Sequence, residues 1–335
     1  WGEEAWWAQR RVAPLGREEA EEFLTALLGE SESPLPVGEG PVLSKVEGAR
    51  VRGMANSLHA LKQLILDKTQ GTPFFMEEIV QELREQEVLP AVGARRAVPL
   101  PIDLHIPPTV QGVLATRIDR LVPDEKALLQ QLAVIGREFP VGLIRQVIPQ
   151  PEADLYRLLA SLQRKEFLYE QPAFPEVEYI FKHALTQEVA YGTVLQEQRK
   201  ALHERTGQAL EALYGTTLHE HYSDLAHHYS RSGTVEKAVA YLYKAGQQGV
   251  QRSAYSEATN YFTQAIALLQ TLPDTRERTQ QEIALQIALG LSLSSTTGYG
   301  TSEVGQAFIR AHALCQQIGE PPQLAVVFGG LWNFC

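Results

Sequence analysis

Apolar residues recur along this chain at three distinct rhythms, and the changes of rhythm divide it. Ala20, Phe23, Leu24, Leu27 and Leu28 fall on one face of an acidic-started helix that follows an extended segment, Arg11–Leu15. Residues 31–57 lose all period: Pro34, Pro36 and Pro41 alternate with Gly38, Gly40, Gly48 and Gly53, which reads as an exposed, disordered loop. Helical spacing returns over Leu58–Val88, with Leu58, Leu61, Leu64 and Ile65 on one arm and Phe75, Ile79, Val80 and Leu83 on the other. A proline-rich stretch from Pro99 to Pro108 then runs extended.

Four further helices are predicted at Thr109–Leu121, Asp124–Ile135, Val141–Val147 and Glu152–Lys165. The period then shortens to two. Phe167–Tyr169 and Val177–Phe181 read as strands joined through Pro172 and Pro175, so three helices and a hairpin predict a winged helix. From Gln198 on the chain is helical and rich in alanine. Ala238, Tyr241, Leu242 and Ala245 line up with Ala258, Tyr261, Phe262 and Ala265, a recurrence of small and aromatic residues that predicts stacked helical hairpins. Gly290, Gly298-Tyr299-Gly300, Ala307, Phe308 and Ala311 predict one more hairpin with a longer loop.

Composition narrows the function. With 335 residues, 44% apolar and 21% charged, the chain has room for two or three globular domains. A net charge of −10 argues against a nucleic-acid partner, because phosphate-backbone affinity needs clustered Lys and Arg. Arg157, Arg164 and Lys165 on the third winged-helix helix are offset by Glu152, Asp154 and Glu166, and no basic stripe marks the wing. Cys315 and Cys335 have no zinc or disulfide spacing, so a cytoplasmic setting is expected. The longest apolar-leaning run, Ile283–Leu293, is too short to span a bilayer, so no membrane partner is expected.

The most structured local signal is Gly71-Thr72-Pro73-Phe74-Phe75-Met76-Glu77-Glu78. Gly71 suits a left-handed cap after the helix Leu58–Thr69, and Pro73 pre-sets the first turn of the next helix. Glu77 and Glu78 are expected near that helix's N-terminus, where its dipole favours negative charge. Phe74 and Phe75 are expected in a core.

This stretch resembles the G-N-P-F-F-x-E-E corner of the STAND class of signalling ATPases, with Thr72 in place of Asn. The likeness continues in order through Pro107–Gln111, Arg117–Leu121, Ala133–Arg137 and Phe181–Tyr191. It is most similar to bacterial proteins in which such an ATPase follows a class III adenylate or guanylate cyclase domain. The resemblance implies a mainly α chain: a helical lid and a winged helix, then a TPR-like α-solenoid, with a small β remnant at the N-terminus and a β-wing. Residues 1–30 would be the last piece of the ATPase core, 31–57 an insertion, 58–106 the lid, 107–197 the winged helix and 198–335 the repeats. The chain is expected to be part of a longer protein, with an upstream ATPase core and a cyclase effector in the same polypeptide.

The resemblance also implies chemistry. Gly71, Thr72, Pro73 and Phe74 would lie near the base of ATP or ADP held by the upstream core, although the same residues serve a ligand-free corner equally well. His183, opening the helix after the wing, would touch the terminal phosphate of ADP, against the alternative of a structural histidine. No Gly-x-x-x-x-Gly-Lys-Ser/Thr loop occurs; Gly48–Gly53 is followed by Met54-Ala55. This chain alone is therefore not expected to hydrolyse ATP or hold it. The repeats are expected to bind a protein partner or small ligand. A maltose-activator-type transcription regulator and a nucleotide-independent scaffold are the alternatives. Arg117, Asp119 and Arg120 read as surface ion pairs along one helix. His219, His221, His227 and His228 raise metal binding, but without Cys or a fixed carboxylate they read as a repeat surface.

Overall fold

A computed structural model describes residues 14–28, 59–86, 89, 107–173, 176–319 and 323–334. The extended Arg11–Ala13, the 31–57 insertion and the proline-rich 99–106 lie outside the described residues. The described residues are mainly helical, with one small sheet. They divide into two compact units at Lys126/Ala127.

The first unit holds α1 (Arg17–Leu27), α2 (residues 59–69), α3 (Pro73–Glu85) and α4 (Val110–Asp119). Glu19 opens α1 by accepting a hydrogen bond from the Gly16 amide at 3.1 Å, and the Thr109 hydroxyl caps α4 by accepting from the Gly112 amide at 3.1 Å. The apolar stripes meet in one core of Ala20 and Leu24 from α1, Leu61, Ile65 and Leu66 from α2, and Phe75, Met76, Ile79, Val80 and Leu83 from α3. Burial of each large side chain contributes about 1.5–3 kcal/mol, so this core outweighs any single cap. The predicted aromatic pair separates: Phe75 is buried and Phe74 half-buried.

The division falls inside α5 (Pro123–Ile135). Within the second unit α5 leads to β1 (Glu138–Pro140), α6 (Val141–Val147), α7 (Glu152–Arg164), β2 (Leu168–Gln171) and β3 (Glu178–Phe181). The sheet order is β1-β3-β2, with Phe139 opposite Tyr179 and Leu168 opposite Phe181, both pairs antiparallel. That order is a winged helix. The strand β1 has no period-two pattern to betray it, being three residues long and ending in Pro140. Phe139 and Phe181 lock it edge-to-face, 5.8 Å between ring centres.

After α8 (Ala184–Gly192) the helices pair in chain order. They are α9 (Gln196–Leu213) with α10 (Tyr222–Ser232), α11 (Val235–Gln251) with α12 (Tyr255–Leu269), α13 (Arg276–Thr297) with α14 (Ser302–Ile318), and then α15 (Leu324–Phe334). The recurrence at Ala238–Ala245 and Ala258–Ala265 relates the two helices of one hairpin rather than successive repeats, which is why its interval is short. Each hairpin closes on one glycine. A Cβ on Gly207 would fall 2.8 Å from the Tyr229 ring, on Gly246 2.4 Å from Phe262, and on Gly290 2.8 Å from Phe308. Only a missing side chain lets helix and ring approach so closely. Among the described residues no helix is long and apolar enough to cross a membrane.

Candidate functional site

In the first unit the corner between α2 and α3 is built by two consecutive left-handed residues, Gln70 at φ 49° and Gly71 at φ 76°. The Leu15 amide donates to the Gly71 carbonyl at 2.9 Å, and a Cβ on Gly71 would sit 2.5 Å from the Leu15 carbonyl oxygen. Gly71 is thereby sealed from behind. Thr72 is the N-cap and Pro73 the first residue of α3, and with Phe74 they are half-buried at the corner. Any ligand reaching this corner meets Thr72, Pro73 and Phe74 rather than Gly71.

The acidic residues after the corner behave differently from the dipole expectation. The first turn of α3 contains no acidic residue. Glu78 is instead buried with Arg117 of α4, whose guanidinium also makes hydrogen bonds of 2.7–3.3 Å to Glu85. Arg120 pairs with Glu82, and Asp119 with Lys126 at 2.8 Å. The expectation of surface ion pairs along one helix is corrected: Arg117 is 1% exposed and its partners lie on another helix. Burial works against its charge, but the hydrogen bonds to Glu85 and the charges of Glu78 and Glu85 hold its pKa above the ordinary value.

His183 belongs to the second unit. It is the N-cap of α8, in extended backbone and half-buried, and its carbonyl accepts from the Thr186 amide at 3.0 Å. The corner at residues 71–74 and His183 therefore belong to different units.

A second constellation in that unit joins four side chains. His203 of α9 is fully buried; its Nε2 lies 3.0 Å from the Tyr191 hydroxyl of α8 and its Nδ1 lies 2.9 Å from His228 Nδ1 of α10. His228 also bonds the Ile135 backbone carbonyl of α5. His227 packs its ring against both, 5.8 and 5.2 Å between centres. Burial, with His227, Arg231 and Arg199 nearby, pushes His203 down to about 3, and burial holds His228 well below its ordinary value. The imidazoles are neutral. His219 and His221 stand apart in the turn Leu218–His221, where His221 stacks on Tyr214 at 3.8 Å. No group of three or more metal-ligating side chains is assembled among the described residues.

Sequence spacing could not reveal this cluster, because His203 lies 25 residues from His228 and 12 from Tyr191. Only the fold brings them together.

No family model matches the chain. The uncharacterized protein R02095 of Rhizobium meliloti (strain 1021) is 26% identical over 265 residues, which cover 78% of this chain and 25% of that protein. The chain thus spans about a quarter of the length of the curated relative it matches. A crystal structure of the Signal Transduction ATPase with Numerous Domains (STAND) protein with a tetratricopeptide repeat sensor, PH0952 from Pyrococcus horikoshii, covers 96% of this chain and 50% of its own. It is 13% identical with a TM-score of 0.33, a score at which two chains need not share a fold.

Proposed function

We infer that this chain is the regulatory and protein-interaction region of a STAND-type signal-transduction ATPase. The lid corner closes over ATP or ADP bound by an upstream core, the winged helix docks or releases with nucleotide state, and the stacked hairpins bind a protein partner or small ligand that biases the balance. A nucleotide cyclase domain in the same polypeptide is the effector.

The reading is carried by the corner itself. Gly71 is held left-handed and sealed by Leu15, while Thr72, Pro73 and Phe74 remain at least partly accessible on a rigid elbow. The Leu15 tie holds that elbow in one conformation, as a lid over a ligand requires. His183 is the phosphate contact in this scheme, and ATP hydrolysis is assigned to the upstream core, which carries the phosphate loop this sequence lacks.

The test is made in the longer parent protein. ADP should raise its melting temperature, and His183→Ala and Pro73→Ala should each weaken ADP affinity at least tenfold, about 1.4 kcal/mol. Unchanged ADP affinity in both variants overturns the nucleotide role of the lid. A melting temperature indifferent to ATP and ADP leaves a scaffold instead.

A further inference from the structure

Between α12 and α14, the second helices of consecutive hairpins, lies an open groove of about 400 Å³ floored by α13, which packs against both. Thr259 of α12, Gln286, Leu289 and Leu293 of α13, and Glu303 and Arg310 of α14 line it. Residues 286, 289 and 293 fall on one face of α13, so a glutamine stands in line with two leucines.

That glutamine is costly where it is. Gln286 is 8% exposed, and its side-chain amide makes no hydrogen bond to any described residue. The Thr259 hydroxyl, on the α12 wall, is buried and likewise without a partner among the described residues. A buried polar group that goes unpaired destabilises the fold, and a leucine at 286 would continue the apolar stripe without that cost.

The α14 wall carries opposite charges at its two ends. Glu303 has no ion-pair partner among the described residues. Arg310 gives its Nε to Glu282 at 2.8 Å, and Glu282 also faces Arg278, itself held by Asp274. The two terminal nitrogens of Arg310 make no bond among the described residues. Glu303 and Arg310 are two turns apart on one helix, about 10.5 Å at a rise of 1.5 Å per residue. An extended peptide covers that length in about three residues. Gln286 offers a donor and an acceptor in one plane, and the group that answers both is another amide; a carboxylate would face its oxygen, an ammonium its NH₂.

We propose that the α12–α14 groove binds an extended peptide segment about three residues long, with an amide paired to Gln286, a cation against Glu303 and an anion against Arg310. This deepens the binding role given to the hairpins above. The titration below uses no nucleotide, so the groove and the lid can fail separately.

The experiment is calorimetric titration of the chain with two probes. Acetyl-Lys-Gln-Asp-amide, blocked at both ends, stands for a segment inside a partner protein; free Ala-Gln-Ala, which presents its charges as termini, stands for a free oligopeptide. One of them should bind, and the blocked peptide saturating assigns the groove to a protein segment. Acetyl-Lys-Gln-Lys-amide should bind at least tenfold more weakly than the blocked probe, because it brings a second cation to Arg310. Gln286→Leu should weaken the binding probe at least tenfold while raising the melting temperature of the unliganded chain by about 2 °C or more. Glu303→Gln, on the exposed rim, should weaken it about threefold. The proposal is overturned if neither probe saturates by about 10 mM, or if Gln286→Leu binds as tightly as the parent. Should that variant not fold, Glu303→Gln binding as tightly as the parent overturns it instead.

Discussion

His203 Nδ1 and His228 Nδ1 face each other at 2.9 Å, so one ring donates there and the other accepts. Neutral His203 shares its other nitrogen with the Tyr191 hydroxyl at 3.0 Å, so it donates at one of its two nitrogens and accepts at the other. A second proton puts a positive charge on a buried ring, and Arg199, Arg231 and His227 are the charged or chargeable groups that face it. His203 titrates near 3 in the folded protein against about 6.5 unfolded, so the unfolded state binds more protons between those values. Its contribution is complete above pH 6.5 and is lost as pH falls. At pH 5 the loss for His203 alone is about 2 kcal/mol. Urea unfolding of the repeat region at pH 7.5 and pH 5 should show it, and His203→Gln should flatten the dependence while lowering stability at pH 7.5.

Arg117 pairs with Glu78 in the interior. Both are at most 2% exposed, so truncating Arg117 takes a guanidinium away from a buried carboxylate. Arg117→Met should destabilise the first unit by about 3–5 kcal/mol. Combining it with Glu78→Gln should recover part of that loss, because an amide has no charge to desolvate. A double variant as unstable as the single one would mean that Glu85, also bonded to Arg117, carries the penalty instead.

The local and the distant parts of this fold were legible to different degrees. Val141–Val147 was readable to the residue and the helices around it to within one or two, because each is an isolated apolar stripe with a proline or polar stop. Gly71 was readable from its place between the helix Leu58–Thr69 and Pro73 two residues on, which leaves few backbone options. Arg117 was not: its sequence neighbours Asp119 and Arg120 predict a solvated face, and nothing local announces that Glu78 and Glu85 lie across from it. His203 was invisible for the same reason. Residues that matter through a partner far away in sequence need the fold before their chemistry can be read.

The corner gives two neighbouring substitutions of opposite sign. Gly71→Ala must place a methyl in a left-handed conformation and against the Leu15 carbonyl 2.5 Å away. The conformational term alone is roughly 1–2 kcal/mol, and the displaced Leu15 adds to it. Gln70, at φ 49°, is a non-glycine residue in the same region, so Gln70→Gly should be neutral or stabilising by up to about 1 kcal/mol. Thermal melts of the two variants side by side check this; a common sign would mean that the turn relaxes as a unit.

Helical glycines in the second unit separate packing from propensity. An alanine replacing a helix-interior glycine gains about 1 kcal/mol in backbone terms. At Gly192 nothing lies within 4 Å of the new methyl, so Gly192→Ala should realise some of that gain, less than the interior value because it ends α8. At Gly246 the methyl would meet the Phe262 ring at 2.4 Å, and overpacking of about 1–3 kcal/mol outweighs the gain. Gly246→Ala should therefore lower the melting temperature, and adding Phe262→Leu should restore part of it by vacating ring atoms beside the methyl. If Gly246→Ala were stabilising, the close approach of helix and ring that closes every hairpin here would not be what sets the spacing of the array.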